Sequence, residues 1–222
     1  MNVSVSELLV RFMERLGVEV IFGMPGAHIL PVYDVLYDSR IRSVLAKHEQ
    51  GASFMAGGYA RASGRIGACI TTAGPGATNL VTGIASAYAD KLPILVITGE
   101  APTYMFGKGG LQESSGEGGS IDQSAVFSGI TRYHKIVERT DYLANVLNRA
   151  AQILLSPDPG PVLLSLPFNV QKELVDDAIL ERIKTTPAQA RPRDQAQPIE
   201  RLTELLLEAE SPVIVAGYGC IK

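Results

Sequence analysis

The sequence predicts an α/β fold built on a doubly wound parallel sheet, followed by the start of a second α/β domain. Short apolar runs alternate with segments of helical periodicity, which is the order expected of βαβ units. The run from Pro93 to Thr98 is almost continuously apolar, as in a strand that helices cover on both faces. Several of the 22 glycines stand where strands would end. Ligands of such folds bind beyond the carboxyl ends of the strands, so these glycines mark the region where a site is expected.

The first half of the chain supplies most of the predicted sheet. Ser4 or Ser6 can cap a helix that runs to about Leu16, because apolar residues recur there at helical spacing and Gly17 follows. Residues 51–63 are predicted to be a helix with small residues on one face, which allows close packing. The other elements predicted here are strands at 18–23, 41–46, 65–72 and 93–98 and helices at about 29–37 and 78–89.

The second half begins with an irregular segment. Residues 99–120 are rich in Gly and Ser and show no periodicity. A loop of this length in a compact domain is usually functional or mobile. A strand at 131–137, a helix at 140–155 and a final strand at 161–166 are then expected to complete the sheet.

The composition indicates the domain boundaries. Residues 1–170 are predicted to form one domain, and residues 171–197, which are rich in charge, Pro and Gln, are predicted to be a linker. Residues 198–222 resemble the opening of a second domain, with a helix at 198–210 and a strand at 212–217. Because one helix and one strand cannot build a core, we expect the sequence to be part of a longer chain.

The composition is typical of a globular protein with a small negative charge. A net charge of −3 and scattered arginines give no indication of a nucleic-acid surface. No apolar run approaches the roughly 20 residues of a membrane-spanning helix. The N-terminal segment lacks the charged start of a signal peptide. Cys69 and Cys220 lie in apolar runs and are interpreted as free thiols of a reducing compartment, so a cytoplasmic location is expected.

Glu49 is the principal candidate for chemistry. Taken alone, a glutamate beside Lys47 and His48 is more often a surface carboxylate. Its position favours a functional role, because it lies between a predicted strand and a helix of small residues, where α/β active sites are found. A carboxylate at that position is suited to acid–base chemistry on a bound ligand.

Two glycine turns accompany this glutamate. FGMPGAH at 22–28 and GPGATN at 74–79 each follow a predicted strand. Their glycines would let a ligand approach the backbone, whose free N–H groups would bind it. The structural alternative for the second turn is a strand–helix connection capped by Thr78 or Asn79. Neither turn has the G-x-G-x-x-G spacing, so a dinucleotide-binding oxidoreductase is disfavoured.

Several motifs, in order along the chain, resemble the thiamine-diphosphate enzymes of the acetolactate synthase type. The stretches that carry the resemblance are FGMPGAHILPVYDVL, KHEQGASFMAGGYARASG, TTAGPGATNLVTGIASAYADKLPILVITGEAP, LQES, IDQSAVFSGITRYHK and PGPVLLSLPFNV. Together they cover nearly the whole chain. The resemblance implies that residues 1–170 are a flavodoxin-like domain that binds the pyrimidine ring of thiamine diphosphate.

The resemblance also implies roles for individual residues. Glu49 would be the catalytic residue, forming a hydrogen bond with the pyrimidine ring and so activating the cofactor. The cofactor would serve as electron sink for the decarboxylation of a 2-keto acid. Cofactor binding would involve Gly26, Pro75 and Asn79. The substrate region would contain Met24, Leu111, Gln112 and Arg132.

Magnesium and the diphosphate are expected to bind elsewhere. The family binds both through a G-D-G segment of a C-terminal domain, and no G-D-G occurs in this sequence, so no metal ligand is expected in this chain. A diphosphate-binding domain would be needed in cis or in trans. The resemblance further implies a homodimer or homotetramer, and it leaves open whether FAD binds to a central domain.

The predicted function is therefore the N-terminal portion of a 2-keto-acid decarboxylase or carboligase. The alternative is a non-catalytic binding or regulatory module that retains the fold. The joint presence of Glu49, Pro75 and Asn79 favours the enzyme, because a site that has lost its chemistry need not keep all three.

Overall fold

The computed structural model of the chain describes residues 1–186, 196–217 and 220, with the backbone alone for residues 196–198. The described residues up to 186 belong to one unit and those from 196 belong to a second. The strands of the first unit are β1 (Asn2–Ser4), β2 (Val20–Gly23), β3 (Arg42–Leu45), β4 (Gly67–Thr71), β5 (Ile94–Glu100), β6 (Tyr133–Ile136), β7 (Val162–Pro167) and β8 (Leu174–Asp176). Its α-helices are α1 (Val5–Arg15), α2 (Leu30–Tyr37), α3 (Glu49–Ser63), α4 (Pro75–Thr78), α5 (Val81–Ala89), α6 (Gln123–Ser128) and α7 (Leu143–Leu154).

The main sheet has six strands in the order β3-β2-β4-β5-β7-β6. Every pair within it is parallel, so all six strands end at one side of the sheet, called here the carboxyl edge. The predicted α/β fold with a doubly wound parallel sheet is confirmed. The strand order changes direction between β2 and β4, and such a switch point opens a crevice at the carboxyl edge.

The core lies in two layers, one on each face of the sheet. Leu95 and Ile97 of β5 belong to the layer under α1, α2 and α7. Ile94 and Val96 belong to the layer under α3, α5 and α6. Because successive side chains of a strand point to opposite faces, a strand covered on both faces must be apolar throughout, as the sequence predicted for this run.

Several element boundaries differ from the sequence prediction, and one helix was not predicted. The third helix begins at Glu49 instead of residue 51. The helix predicted at 78–89 is divided into α4 and α5, because Pro75, suited to the first helical turn, starts α4 early. Strand β5 continues to Glu100, since its last residues pair with β7. Helix α6 forms in a segment for which no helix was predicted.

The first part of the predicted linker belongs structurally to the first unit. Strand β8 pairs antiparallel with β1. Val175, Leu180 and Ile183 are buried. These apolar residues, spaced among charged ones, explain why the chain continues to pack beyond residue 170. Residues 187–195 of the predicted linker lie outside the described residues.

The second unit contains α8 (Ala196–Glu208). The strand predicted at 212–217 is not formed in the described part of the chain, where Val213, Ile214 and Val215 are exposed. A strand requires a neighbouring strand for its backbone hydrogen bonds, and none of the described residues supplies one here. No helix in the described ranges is long and apolar enough to cross a membrane.

Candidate functional site

Glu49 is the first residue of α3, immediately beyond the carboxyl edge at β3. His48 caps the helix, because its Nδ1 accepts a hydrogen bond from the backbone N of Gln50 at 3.2 Å. The free N–H groups of a helix N-terminus favour a negative side chain in the first turn. Glu49 is partly exposed. Its backbone is therefore fixed by the helix start, while its carboxylate remains accessible to a ligand.

Asn79 holds one oxygen of this carboxylate. Its Nδ2 donates a hydrogen bond to Oε2 of Glu49 at 2.9 Å. Asn79 ends α4, the short helix that Pro75 begins after β4. Within the described ranges this is the one hydrogen bond to the Glu49 carboxylate, so Oε1 stays available as an acceptor. The structure thus brings Glu49, Pro75 and Asn79 together at the carboxyl edge of the sheet.

Gly76 keeps the space beside Oε1 open. A Cβ atom at this position would lie 2.6 Å from Oγ1 of Thr71 and 3.5 Å from Oε1 of Glu49. Oγ1 of Thr71 is buried and has no hydrogen-bond partner among the described residues. The crevice therefore combines a free carboxylate oxygen, an unpartnered hydroxyl and a surface that lacks side-chain atoms.

Gln112 and the turn after β2 lie against the neighbouring part of the same β4–α4 connection. Oγ1 of Thr72 donates to Oε1 of Gln112 at 3.1 Å, and Nδ1 of His28 is 3.3 Å from that oxygen. The backbone N of His28 donates to Oγ1 of Thr72 at 3.4 Å. Gly26 packs directly against Thr72. Thr72 thus joins two predicted residues, Gly26 and Gln112, which are far apart in the sequence.

The backbone of Gln112 is itself constrained. Its φ angle is +55°, which is uncommon for a residue other than glycine. Gly74, with φ of +56°, faces it so closely that a Cβ there would lie 2.7 Å from the carbonyl oxygen of Gln112. The loop and the turn after β4 are therefore in direct backbone contact.

Met24 and Leu111 flank this cluster. Met24 follows β2 directly, is partly buried, and donates its backbone N–H to the carbonyl of Ile70 at 3.3 Å. Leu111 precedes Gln112 in the loop and is 71% exposed. Both residues are at the carboxyl edge, the side where the sequence predicted the substrate region.

Arg132 is not brought to the other predicted residues within this chain. It immediately precedes β6, so it lies at the amino end of a parallel strand, opposite to the carboxyl edge. Its Nη2 donates to Asp158 at 3.0 Å, and its guanidinium lies 5.6 Å from the ring centroid of Tyr88. The predicted strand at 131–137 already had Arg132 near its amino end, and the substrate role of Arg132 was implied by the family resemblance alone.

Sequence analysis missed several polar residues of this edge. Thr72 was not singled out, although two threonines before a Gly-Pro-Gly turn interrupt an apolar strand. Glu100 was assigned to the irregular segment, yet it is fully buried at the end of β5. It accepts hydrogen bonds from the backbone N of Ala101 at 2.7 Å and of Ser114 at 3.0 Å. The sequence did contain a signal for this burial, because Glu100 directly follows an almost continuously apolar strand.

Other features of the described residues lie apart from the candidate site. Those residues contain no group of three or more His, Cys, Asp or Glu side chains arranged to hold a metal ion. A groove of about 790 Å³ lies between the start of α1, helix α2 and the turn after β7, and Tyr33, Phe168 and Gln171 help to line it. None of the predicted site residues lines that groove.

Comparisons with known proteins agree with the fold. Residues 3–125 match the family described as thiamine pyrophosphate enzyme, N-terminal TPP binding domain. The chain is similar to the probable acetolactate synthase large subunit of Methanocaldococcus jannaschii, with 39% identity over 225 residues, 97% of this chain and 36% of that protein. It is also similar to the acetolactate synthase isozyme 1 large subunit of Escherichia coli strain K12, with 39% identity over 222 residues, 98% of this chain and 37% of that protein.

A third relative is matched over a similar share of its length. The acetolactate synthase large subunit of Corynebacterium glutamicum is 37% identical over 218 residues, which is 98% of this chain and 34% of that protein. The chain thus spans about a third of the length of the curated relatives it matches.

Proposed function

The chain belongs to the thiamine pyrophosphate enzymes, and we propose that its first domain binds the aminopyrimidine ring of that cofactor with Glu49 as the catalytic residue. The observation that supports the proposal best is the environment of the Glu49 carboxylate. Oε2 is held by Asn79, and Oε1 is the remaining acceptor beside Gly76. A carboxylate fixed in this way can hold a proton at a ring nitrogen without rotating away.

The residues of the crevice fit a flat heteroaromatic ring. Gly76 leaves room for a ring beside Oε1 of Glu49, and the exposed Pro75 supplies a rigid apolar surface next to it. The unpartnered Oγ1 of Thr71 is a polar atom that a ligand or a bound water would satisfy. When bound, thiamine pyrophosphate supplies an electron sink for the decarboxylation of 2-keto acids.

Gly26, Met24, Leu111 and Gln112 are proposed to form the adjoining wall. Gln112 is held by Thr72 and faces His28, so its amide has a defined orientation. We assign it to the region that contacts the substrate, together with the exposed Leu111. Arg132 would reach that region only from a second copy of the chain, because within one chain it lies at the opposite side of the sheet.

For the whole protein we propose a 2-keto-acid decarboxylase or carboligase resembling acetolactate synthase, a transferase- or lyase-type enzyme of the cytoplasm. The similarity to acetolactate synthase large subunits over nearly all of this chain supports this reaction class. Mg²⁺ and the diphosphate would be bound by a further region, in cis or in trans. The resemblance to this family is also the reason that we propose a homodimer or homotetramer. FAD would bind, if at all, to a central domain.

The Glu49→Gln variant tests this proposal. In the enzyme assembled with its diphosphate-binding region, we expect the turnover of 2-keto acids to fall by about 100-fold or more, because acid–base catalysis typically contributes that much. The melting temperature should stay unchanged, since Glu49 is partly exposed. The measurement is steady-state turnover with saturating thiamine pyrophosphate and Mg²⁺, beside a thermal melt.

Glu208→Gln is the matched control, because it makes the same chemical change at an exposed position of α8 and should leave turnover unchanged. Near-normal turnover of the Glu49→Gln variant would contradict the role of Glu49. An unmodified enzyme that binds thiamine pyrophosphate but turns over no 2-keto acid would instead favour the non-catalytic binding module.

A further inference from the structure

Glu100 is a second glutamate at the carboxyl edge, and its surroundings are opposite to those of Glu49. It is the last residue of β5, near the middle of the sheet, and its side chain is fully buried. The loop that follows β5 folds back over it, so that Ser114 comes into contact with its carboxyl group. No salt bridge to Glu100 occurs among the described residues, although a buried carboxylate normally requires a cation.

The two oxygens of this carboxyl group have different partners. Oε1 accepts two backbone hydrogen bonds, from Ala101 at 2.7 Å and from Ser114 at 3.0 Å. Oε2 is in hydrogen-bond contact with Oγ of Ser114. A protonated carboxylic acid has this asymmetry, with one oxygen that only accepts and one that carries a proton.

Counting protons shows which group donates in the contact between Ser114 and Glu100. Oγ of Ser114 is also 3.1 Å from Oε1 of Gln123, an amide oxygen that can only accept. The Gln123 amide is oriented by its own Nε2, which donates to Oγ1 of Thr98 at 3.0 Å. One hydroxyl proton of Ser114 cannot serve both acceptors, so with the amide in this orientation both contacts are satisfied when Ser114 donates to Gln123 and Glu100 carries the proton of the second contact.

We propose that Glu100 is a neutral carboxylic acid in the folded protein, and that its proton completes the chain Glu100 Oε2–H to Ser114 Oγ–H to Gln123 Oε1. These hydrogen bonds connect the loop to β5 and to the start of α6. Ser114 is two residues after Gln112, whose strained backbone contacts the turn at Gly74. Glu100 is thus a positioning residue, which holds Gln112 at the candidate site without touching a ligand itself. The inference does not depend on the proposed function.

The charged groups near Glu100 are consistent with the neutral form. Burial is the main cause that raises the pKa of Glu100, and the hydrogen bonds and the nearby His28 lower it to a smaller extent. Glu113, next to Ser114, accepts hydrogen bonds from Ser115, Gly107 and Gly110, which lower the pKa of Glu113. The loop therefore already carries one ionised carboxylate, and a second one beneath it would be unfavourable.

Infrared difference spectroscopy of the purified chain tests the protonation state. We expect the carbonyl stretching band of a protonated carboxylic acid at neutral pH, and we expect the Glu100→Gln variant to lose it. Glu208→Gln, which removes an exposed carboxylate, should retain the band. A neutral-pH spectrum in which Glu100→Gln removes only carboxylate absorption would overturn the proposal, because Glu100 would then be ionised and the Gln123 amide reversed.

Limited proteolysis tests the positioning role. Lys108 is the single Lys or Arg between residues 101 and 122, so trypsin cleavage after it reports opening of this loop. Glutamine can mimic the neutral acid, because its Nε2 donates to Ser114 and its Oε1 accepts from the two backbone N–H groups. Glu100→Gln should therefore be cut after Lys108 at the rate of the unmodified chain.

Glu100→Ala should be cut about tenfold faster at that bond, as expected when the closed loop loses a buried hydrogen bond. Ser114→Ala, which breaks the same chain without changing a charge, should show the same acceleration and serves if Glu100→Ala does not fold. Acceleration in Glu100→Gln equal to that in Glu100→Ala, or no acceleration in Ser114→Ala, would overturn the positioning role.

Discussion

Glu49 and Glu100 are the same residue type at the same side of one sheet, yet their environments are opposite. Glu49 is partly exposed and its carboxylate accepts one hydrogen bond, from Asn79. Glu100 is fully buried and both of its oxygens are engaged. The difference follows from what comes after each strand, because a helix begins at Glu49 itself, whereas a long loop returns over Glu100.

This comparison separates two uses of a carboxyl group in an α/β fold. A helix N-terminus favours the ionised form and leaves it open to a ligand. A dry position under a loop favours the neutral form, which binds the protein's own backbone and hydroxyl groups. A carboxyl group at the carboxyl edge is therefore not by itself an indication of catalysis. The number of its oxygens that lack a hydrogen-bond partner in the protein is a better indication.

The open space beside Glu49 can be closed by a single methyl group. A Cβ in the Gly76→Ala variant would lie 2.6 Å from Oγ1 of Thr71, a β-branched side chain in a packed strand. We expect the free energy of unfolding to fall by about 1–3 kcal/mol, as for other overpacked positions. Thiamine pyrophosphate affinity, measured by calorimetry with Mg²⁺ in the assembled enzyme, should fall at least about tenfold, since the displaced residues border Oε1 of Glu49.

Gly58→Ala is the control for that experiment. Gly58 is within α3, and a Cβ there would meet no atom within 4 Å. Alanine is the better helix former by about 1 kcal/mol, so this variant should be equally or more stable and should bind the cofactor normally. Equal affinities of the two variants would show that the space at Gly76 is not used by the ligand.

The pH dependence of stability sharpens the contrast from the side of Glu100. Burial raises the pKa of Glu100 above its ordinary value of 4.5. Its stabilising contribution is therefore fully present below the unfolded-state pKa and is lost as the pH rises through the folded-state pKa. Between the unfolded-state pKa and the folded-state pKa of Glu100, the free energy of unfolding of the unmodified chain should fall by about 1.4 kcal/mol per pH unit relative to that of Glu100→Gln.

Urea unfolding of both chains from about pH 5 to about pH 9 measures this difference. The charge of His28 also acts on the pKa of Glu100, and His28 is present in both the unmodified protein and the Glu100→Gln variant. Glu208→Gln should remain parallel to the unmodified chain at every pH. A constant offset between Glu100→Gln and the unmodified chain would mean that Glu100 does not titrate differently on folding.

The sequence predicted the middle of the sheet well because the strands β4, β5 and β7 are buried on both faces. Ile94 to Ile97 could be assigned as a strand from composition alone, and Glu49 could be placed at the start of a helix to within two residues. The positions that were missed depend on contacts between distant segments. Thr72 is an example, because it contacts Gln112, 40 residues later, and no local pattern indicates that pairing.

The buried polar groups were hidden for a related reason. Polar residues such as Glu100, Ser114 and Gln123 are usually expected at the surface. In the structure all three are buried, and hydrogen bonds connect them to one another. Arg132 was assigned to the substrate region from the family resemblance alone, and within one chain it lies at the amino end of β6. Val175 and Leu180 were assigned to a linker because the charged residues around them dominate the composition.

The smallest expected effect on stability concerns Asn79, which donates a hydrogen bond that orients Glu49. Asn79 is exposed, so the Asn79→Ala variant should change the free energy of unfolding by less than about 0.5 kcal/mol. Cofactor affinity should nevertheless fall about tenfold, because the carboxylate must then be oriented at the moment of binding. Calorimetric titration with thiamine pyrophosphate and Mg²⁺ measures the loss, and Asn145→Ala, an exposed asparagine of α7, should show none. Unchanged affinity in Asn79→Ala would mean that the start of α3 alone positions Glu49. The difference between Glu49 and Glu100 would then depend on burial and not on how many of their carboxyl oxygens form hydrogen bonds.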